Sequence, residues 1–177
     1  MYLKPTITLL LTLLLPLTST TPLNRRDAST VIADLNTISA DIADFDAAVN
    51  VFDGSLAQAL AIQTKENKME DDIQTAIGHT QSSAAFTTAE STAVTNTLLD
   101  LEPDILSSLN LVVSKKTLFV KAGVKSLVHL DLQNLKAKTD GMSTALQAKV
   151  TAADKATIAS HTVDVDAAFN SAISAFS

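Results

Sequence analysis

The chain has 177 residues, 46% apolar and 18% charged, with four glycines, four prolines and no cysteine. That is enough apolar surface for one packed domain and too much for a disordered or collagen-like chain, and the missing cysteines exclude thiol nucleophiles, disulfide frameworks and cysteine-ligated zinc. A net charge of -6, from 13 Lys and Arg against 19 Asp and Glu, argues against nucleic acid as a partner, because phosphate binding needs a basic field.

Residues 1–19 have the layout of a secretory signal peptide: Lys4, an apolar run from Ile7 to Leu17, then the small residues Thr18 and Ser19. The run meets Pro16 and falls short of the roughly 20 apolar residues that cross a bilayer, so cleavage is expected and a transmembrane anchor is not. Residues 20–26 read as a short propeptide ending in the dibasic pair Arg25-Arg26, which leaves 27–177 as a single helical domain. The C-terminal Ala175-Phe176-Ser177 offers neither an apolar tail nor a Ser/Thr/Pro-rich stalk, and no Asn-x-Ser/Thr acceptor occurs. A secreted chain without disulfides must hold together by packing alone, which asks for long, well-patterned elements.

The first helix carries Val31, Leu35, Ile38, Ile42, Phe45, Val49 and Phe52 at alternating steps of four and three, with Asp34, Asp41, Asp44 and Asp46 on its wet faces. Asp27 or Ser29 can cap its start, and Gly54 ends it. A second helix starts near Ser55 and places Leu56, Leu60, Ile62, Met69, Ile73 and Ile77 inward. It presents Lys65, Glu66, Lys68, Glu70, Asp71 and Asp72 to solvent and stops at or just after Gly78. Thr87 and Glu90 have capping-box spacing, so the third helix begins at Thr88; its stripe is Val94, Leu98, Leu101, Ile105, Leu109 and Val112. Pro103 falls inside that helix, and a kink near Leu101 is expected.

Residues 115–149 contain Gly123 and Gly141 and form either one bent helix or a short piece followed by a longer one. Leu118, Phe119, Ala122, Val128, Leu132, Leu135, Met142 and Leu146 are its expected buried side. Thr151 and Asp154 open a last helix with Ile158, Val165, Phe169, Ala172, Ile173 and Phe176 inward. The fold class is therefore all-α: an antiparallel up-and-down bundle of about five long amphipathic helices with a proline kink in the third.

Chemistry-bearing motifs are missing. His79, His129 and His161 lie on different elements without metal-ligand spacing, and neither a Gly-x-Ser-x-Gly elbow nor a phosphate loop occurs. No catalytic residue, metal or cofactor is assigned, and an enzyme is not expected. The apolar inventory is the remaining lead. Phe45, Phe52, Met69, Ile73, Leu98, Leu101, Ile105, Leu109, Phe119, Leu135, Met142, Leu146, Phe169 and Ile173 form either a filled core or the lining of an elongated gap between helices, a usual place for apolar ligands. Thr139 and Thr162 lie near the inner stripes as candidate head-group contacts, although a buried Thr more often bonds its own helix carbonyl.

Leu101-Glu102-Pro103-Asp104-Ile105-Leu106-Ser107-Ser108-Leu109, then Val112, Lys115-Lys116, Phe119 and Gly123, together with Arg25-Arg26-Asp27, Val31-Ile32-Ala33-Asp34-Leu35 and Gly54-Ser55-Leu56, cover most of the mature chain. In these stretches the sequence resembles the secreted fungal family named after hydrophobic surface binding protein A, which also includes antigenic cell-wall galactomannoproteins. It departs in placing Val150-Thr151 where relatives often have a proline before the last helix. The resemblance implies secretion to the medium or wall, adsorption to hydrophobic surfaces and capture of a fatty acid or other lipid between the helices. Two alternatives stand beside that expectation: a surface-active protein that opens on hydrophobic polymers and recruits secreted hydrolases, and a structural or antigenic wall mannoprotein without a ligand.

Overall fold

A computed structural model of the chain describes residues 28–177; the expected signal peptide, propeptide and Asp27 cap lie outside the described residues. Among the described residues six helices follow one another: α1 (Ala28–Asn50), α2 (Leu56–Ser82), α3 (Thr88–Ser114), α4 (Lys116–Lys121), α5 (Lys125–Gln147) and α6 (Ala152–Ala175). Five are long, and at about 1.5 Å per residue they span roughly 35–40 Å.

The helix boundaries follow from local chemistry. Ser55 and Thr151 accept from the backbone N–H groups of Gln58 and Asp154, and Thr87 and Glu90 close a reciprocal capping box. Ser29, a suggested cap for the first helix, lies within α1 instead. Expected to run to Gly78 or slightly beyond, α2 continues one turn past it to Ser82, where the Ser83 N–H and hydroxyl both reach the His79 carbonyl. An exposed glycine inside a helix costs only about 1 kcal/mol, which tertiary packing readily outweighs. Residues 115–149 resolve into the short α4 followed by α5. The Gly123 N–H bonds the Val120 carbonyl and the Val124 N–H bonds the Phe119 carbonyl, a Schellman closure that needs the left-handed φ of +77° at Gly123. α3 continues through Pro103, which removes the N–H that the Leu99 carbonyl would otherwise receive without ending the helix.

Cross-helix bonds give the directions. Lys65–Asp44, Lys68–Asp41 and His79–Asp34 run α1 against α2, and His129–Ile173, Lys136–Asp166 and Ser143–Thr162 run α5 against α6. Ser39–Asp104 with Lys115–Asn50 sets α1 parallel to α3, and Ser91–Asp154 with Glu102–His161 sets α3 parallel to α6. Lys138–Gln74 and Lys149–Gln81 do the same for α2 and α5. Direction alternates along the chain as short loops require, while in space the long helices close into a ring in the order α2, α1, α3, α6, α5 and back to α2.

The ring matters more than the count of helices. For axes about 9–10 Å apart, the centre of a regular five-membered ring lies about 8 Å from each axis, whereas helices with side chains are only about 5–6 Å in radius. An ideal ring of five therefore leaves room about 2–3 Å in radius along the middle, which four helices in a square would close.

Inward stripes supply the wall. Val31, Leu35, Ile38, Ile42, Phe45 and Val49 of α1 are buried as expected. Two expectations for α2 need correcting. Its inner stripe is Ala59, Ile62, Glu66, Met69, Ile73, Ala76, Ile77 and Thr80, so Leu56 and Leu60 face solvent and Glu66, assigned to the wet side, is buried. Asp41, likewise expected in water, is buried against Lys68 at 2.6 Å.

One end of the ring is closed by α4. Phe119 packs tilted against Phe52 with ring centroids 4.6 Å apart and meets the edge of Phe176 at 6.0 Å, while Lys115 and Lys121 donate to the Asn50 and Asp53 carbonyls at the end of α1. Gly54, at φ +91°, turns the chain beside them, and a Cβ there would lie 3.1 Å from the Lys121 Cδ and 3.4 Å from the Leu118 carbonyl oxygen. Gly54→Ala is therefore expected to cost about 1–2 kcal/mol, from the left-handed backbone before any crowding, read as a lower urea midpoint with an unchanged m-value.

Candidate functional site: an apolar cavity inside the helical ring

Inside the ring lies a cavity of about 120 Å³ to which all five long helices contribute. One water needs only about 10–15 Å³, so this is far more than a packing defect. α1 supplies Leu35, Ile38, Ile42 and Phe45, and α2 supplies Met69 and Ile73. α3 gives Leu98, Leu99, Leu101, Ile105, Leu109 and Val112; α5 gives Leu132, Leu135 and Met142; α6 gives Ile158, Val165 and Phe169. Such a wall offers a water molecule almost no hydrogen bonds, so an alkyl chain is the occupant it favours.

Of the residues singled out from the sequence, Phe45, Met69, Ile73, Leu98, Leu101, Ile105, Leu109, Leu135, Met142 and Phe169 come together around this cavity, and Thr139 and Thr162 reach its wall as well. Four do not. Phe52 and Phe119 belong to the aromatic end plug, Leu146 is fully enclosed in core, and Ile173 packs half-buried on the core while its carbonyl meets His129. These residues share the inward stripe, but position along the ring axis decides what lines the void, and periodicity carries no axial coordinate. Leu35, Ile38, Ile42, Val112, Leu132, Ile158 and Val165 were legible as stripe residues without being singled out.

Most of the polar lining lies on α5 and α6, with Glu102 and Ser108 added from α3. Thr139 donates to the Leu135 carbonyl at 2.8 Å and Thr162 to the Ile158 carbonyl at 2.8 Å. The Thr162 proton being committed, the 2.7 Å contact with Ser143 is a donation from Ser143, whose oxygen in turn accepts from Gln147 at 3.0 Å. Beside them on the wall, Glu102 and His161 form a partly buried pair through Oε2 and Nδ1. His161, Glu102 and Ser143 were not anticipated: each is a polar residue at a stripe position, invisible to a hydrophobic pattern.

A smaller cavity of about 40 Å³ lies towards the aromatic plug, separated from the first by Phe45, Val112, Leu132 and Leu135, which line both. Its wall adds Ile62, Phe119, Val128, Gln63 and two acids, Glu66 and Asp131. Glu66 is 3% exposed, and burial, reinforced by the charges of Asp131 and Glu70, pushes its carboxyl up to about 9. Burial and Glu70 push Asp131 up to about 6.

In the unfolded chain Glu66 titrates near its ordinary 4.5, so the folded state holds that proton more tightly. Its contribution to stability is complete below about pH 4.5 and is lost as pH rises towards 9, with a slope approaching about 1.4 kcal/mol per pH unit for one proton. Urea unfolding between pH 5 and 8.5 is expected to show this decline, and Glu66→Gln to flatten most of it.

Among the described residues no group of three or more His, Asp or Glu is placed to hold a metal ion, and no helix is long and apolar enough to cross a membrane.

Known proteins share this arrangement. The crystal structure of Afmp4p in complex with palmitic acid is 50% identical, superposes with a TM-score of 0.85, and matches 85% of this chain and all of that one. Ligand binding domain 2 of the Penicillium marneffei MP1 protein, complexed with multiple arachidonic acids, has the same fold at 19% identity, a TM-score of 0.80 and coverage of 87% and 98%. Cell wall mannoprotein 1 of Aspergillus fumigatus is 28% identical over 120 residues, which are 68% of this chain and 40% of that protein. The chain thus spans less than half the length of that mannoprotein. Residues 28–148, from α1 to the end of α5, match the family pattern described as hydrophobic surface binding protein A. The chain belongs to the hydrophobic surface binding protein A family.

Proposed function

We propose that this protein is a secreted, non-catalytic carrier that encloses the hydrocarbon chain of a fatty acid or similar lipid within the helical ring. The observation that carries the reading is the cavity itself: about 120 Å³ of space walled by Leu, Ile, Val, Met and Phe from five helices, with most of its polar lining at Thr139, Ser143, His161, Thr162 and Glu102 and one further hydroxyl at Ser108. The palmitic acid complex of Afmp4p, at 50% identity, supports the same ligand class. The carboxyl end would lie against the polar side, where His161, already paired with Glu102 through Nδ1, is the basic group among the described residues of the wall and Ser143 and Thr162 would reorient their protons to meet it. Secretion rests on the leader-like residues 1–19 and on the mannoprotein relative.

Purified secreted protein, extracted with organic solvent, should release a long-chain fatty acid in near-stoichiometric amount by mass spectrometry, and the emptied protein should take up palmitate again. An empty protein that takes up none would defeat the reading.

A second reading has its own observation. Val51, Leu56, Leu60 and Val120, between 49% and 70% exposed, lie on the α1–α2 turn, the start of α2 and α4, at the plugged end of the ring. They are suited to adsorption on hydrophobic surfaces, where recruitment of secreted hydrolases could follow. Replacing Leu56 and Leu60 together with Ser should lower adsorption to a hydrophobic film at least about threefold without altering palmitate uptake; equal adsorption by both proteins would remove this reading.

A further inference from the structure

The small cavity beside the aromatic plug holds an unusual group for an apolar ring. The Glu66 side chain is 97% buried by its 3% residual exposure, sits on the inward stripe of α2, and lines the cavity with an Oε1 that has no hydrogen-bond partner. Asp131 of α5 lines the same space, and the Oε1 of Glu70, one turn from Glu66, is also buried without a partner. The basic side chains of the neighbouring turns are engaged elsewhere: Lys65 on Asp44, Lys68 on Asp41 and Asp72, and Lys138 on Gln74. His129 points to α6 and the Ile173 carbonyl. α1, α3 and α4 present only Phe45, Val112 and Phe119. Two carboxyl groups, Glu66 and Asp131, thus line the end of an alkyl-walled space, with Glu70 hydrogen-bonded to Glu66 behind them, the Glu66 Oε1 buried without a partner, and no cation among the described residues of the wall.

Burying carboxyl oxygens without partners is costly, and a ligand group that satisfies them recovers that cost. A second carboxylate would be repelled by Asp131 and Glu70. An ammonium group is about the size of a water molecule, fits a cavity of about 40 Å³, and brings three donors and a positive charge.

We propose that the small cavity is a second head-group site, which takes the ammonium of a long-chain alkylamine whose hydrocarbon passes Phe45 and Leu135 into the main cavity. The proposal rests on the reading that the main cavity holds an alkyl chain. Entry of the ammonium ionises Glu66: its carboxyl proton leaves to the buffer, and the carboxylate left behind accepts from the bound ammonium. Fatty acids and alkylamines would then lie in the ring with opposite polarity, the carboxylate towards His161 and the ammonium towards Glu66.

The test compares dodecylamine, dodecanol and palmitate by calorimetry at pH 7, in two buffers of different ionisation enthalpy. Dodecylamine should bind the wild-type protein at least about tenfold more tightly than dodecanol, with release of up to about one proton per amine bound. Glu66→Gln keeps the shape of the neutral carboxyl and should melt within a few degrees of wild type at pH 7. It should also bring the amine to within about threefold of the alcohol, abolish proton release and leave palmitate affinity unchanged. Asp131→Asn should weaken the amine in the same direction. If dodecylamine gains nothing over dodecanol, or if Glu66→Gln leaves its preference intact while palmitate still binds, the head-group site is wrong and the carrier stands. If neither palmitate nor dodecanol binds, the carrier has failed and the head-group site fails with it.

Discussion

Leu101→Trp is expected to lower palmitate affinity by about 100-fold while leaving the protein about as stable as wild type. Leu101 is 4% exposed and stands in the cavity wall midway along α3, across the ring from the lining residues of α2 and α5. An indole at that position occupies the middle of the channel and shuts an alkyl chain out of roughly half of it. Each excluded methylene forfeits about 0.8 kcal/mol, so about four of them amount to roughly 3 kcal/mol, or about two orders of magnitude in Kd. Stability is the discriminating half of the measurement. In a densely packed core the larger side chain would cost about 1–3 kcal/mol in strain, whereas here the added atoms enter a void whose lining lacks contacts. Palmitate binding by calorimetry and urea unfolding of the empty protein read the two effects separately. Wild-type affinity in this variant would show that the chain lies elsewhere, and a loss of several kcal/mol would show that the void is not there to be filled.

The sequence carried the wall of this cavity more clearly than its contents. Helical spacing of the apolar residues in α1, α3 and α6 puts Phe45, Leu101, Leu109 and Phe169 on inward faces, and the ring requires just that of them. Thr87, Glu90 and Thr151 announced their helix starts because the capping chemistry is local. Whether those faces meet around a core or a channel depends on how helices of ordinary diameter are arranged in cross-section, and no single helix encodes that. The order α2, α1, α3, α6, α5 could not be read from loop lengths either, since the five residues between α2 and α3 lead to a helix that is not a ring neighbour of α2.

Glu66 was misplaced for a related reason. It falls four residues after Ile62 and three before Met69, squarely on the stripe, but its polarity argued for water. Hydrophobic patterning treats an acid on an inner stripe as noise, although it is the position where burial is costly and therefore informative. The same applies to Ser143 and His161, whose value lies in being polar where the pattern expects apolar. The resemblance stretch from Leu101 to Gly123 divides in the same way: Leu101, Ile105, Leu109 and Val112 line the cavity, whereas Lys115, Phe119 and Gly123 build the plug that closes its end.

That division predicts a variant whose effect is the reverse of Leu101→Trp. Phe119→Ala should destabilise the protein by about 3–5 kcal/mol, the range for removing a buried phenylalanine, and leave palmitate binding nearly intact below the melting temperature. Phe119 is 2% exposed on the short α4, with Phe52 from the α1–α2 connection at 4.6 Å and Phe176 from the C-terminus at 6.0 Å, so its ring ties three separate parts of the chain together. The lysines that hold α4 down, Lys115 on the Asn50 carbonyl and Lys121 on the Asp53 carbonyl, are exposed or half-exposed and cannot replace that packing. A domain of this size loses about 2–4 °C per kcal/mol, which puts the expected fall in Tm at roughly 10 °C or more. The main cavity is not lined by Phe119, so the chain-binding wall survives as long as the ring does. Thermal unfolding with and without palmitate decides the matter: the ligand should raise the Tm of variant and wild type by similar increments. A variant that folds stably at 25 °C but no longer binds palmitate would place Phe119 in the ligand's path rather than in the plug, and a loss below about 1 kcal/mol would mean that the aromatic contacts do not hold the end of the ring closed.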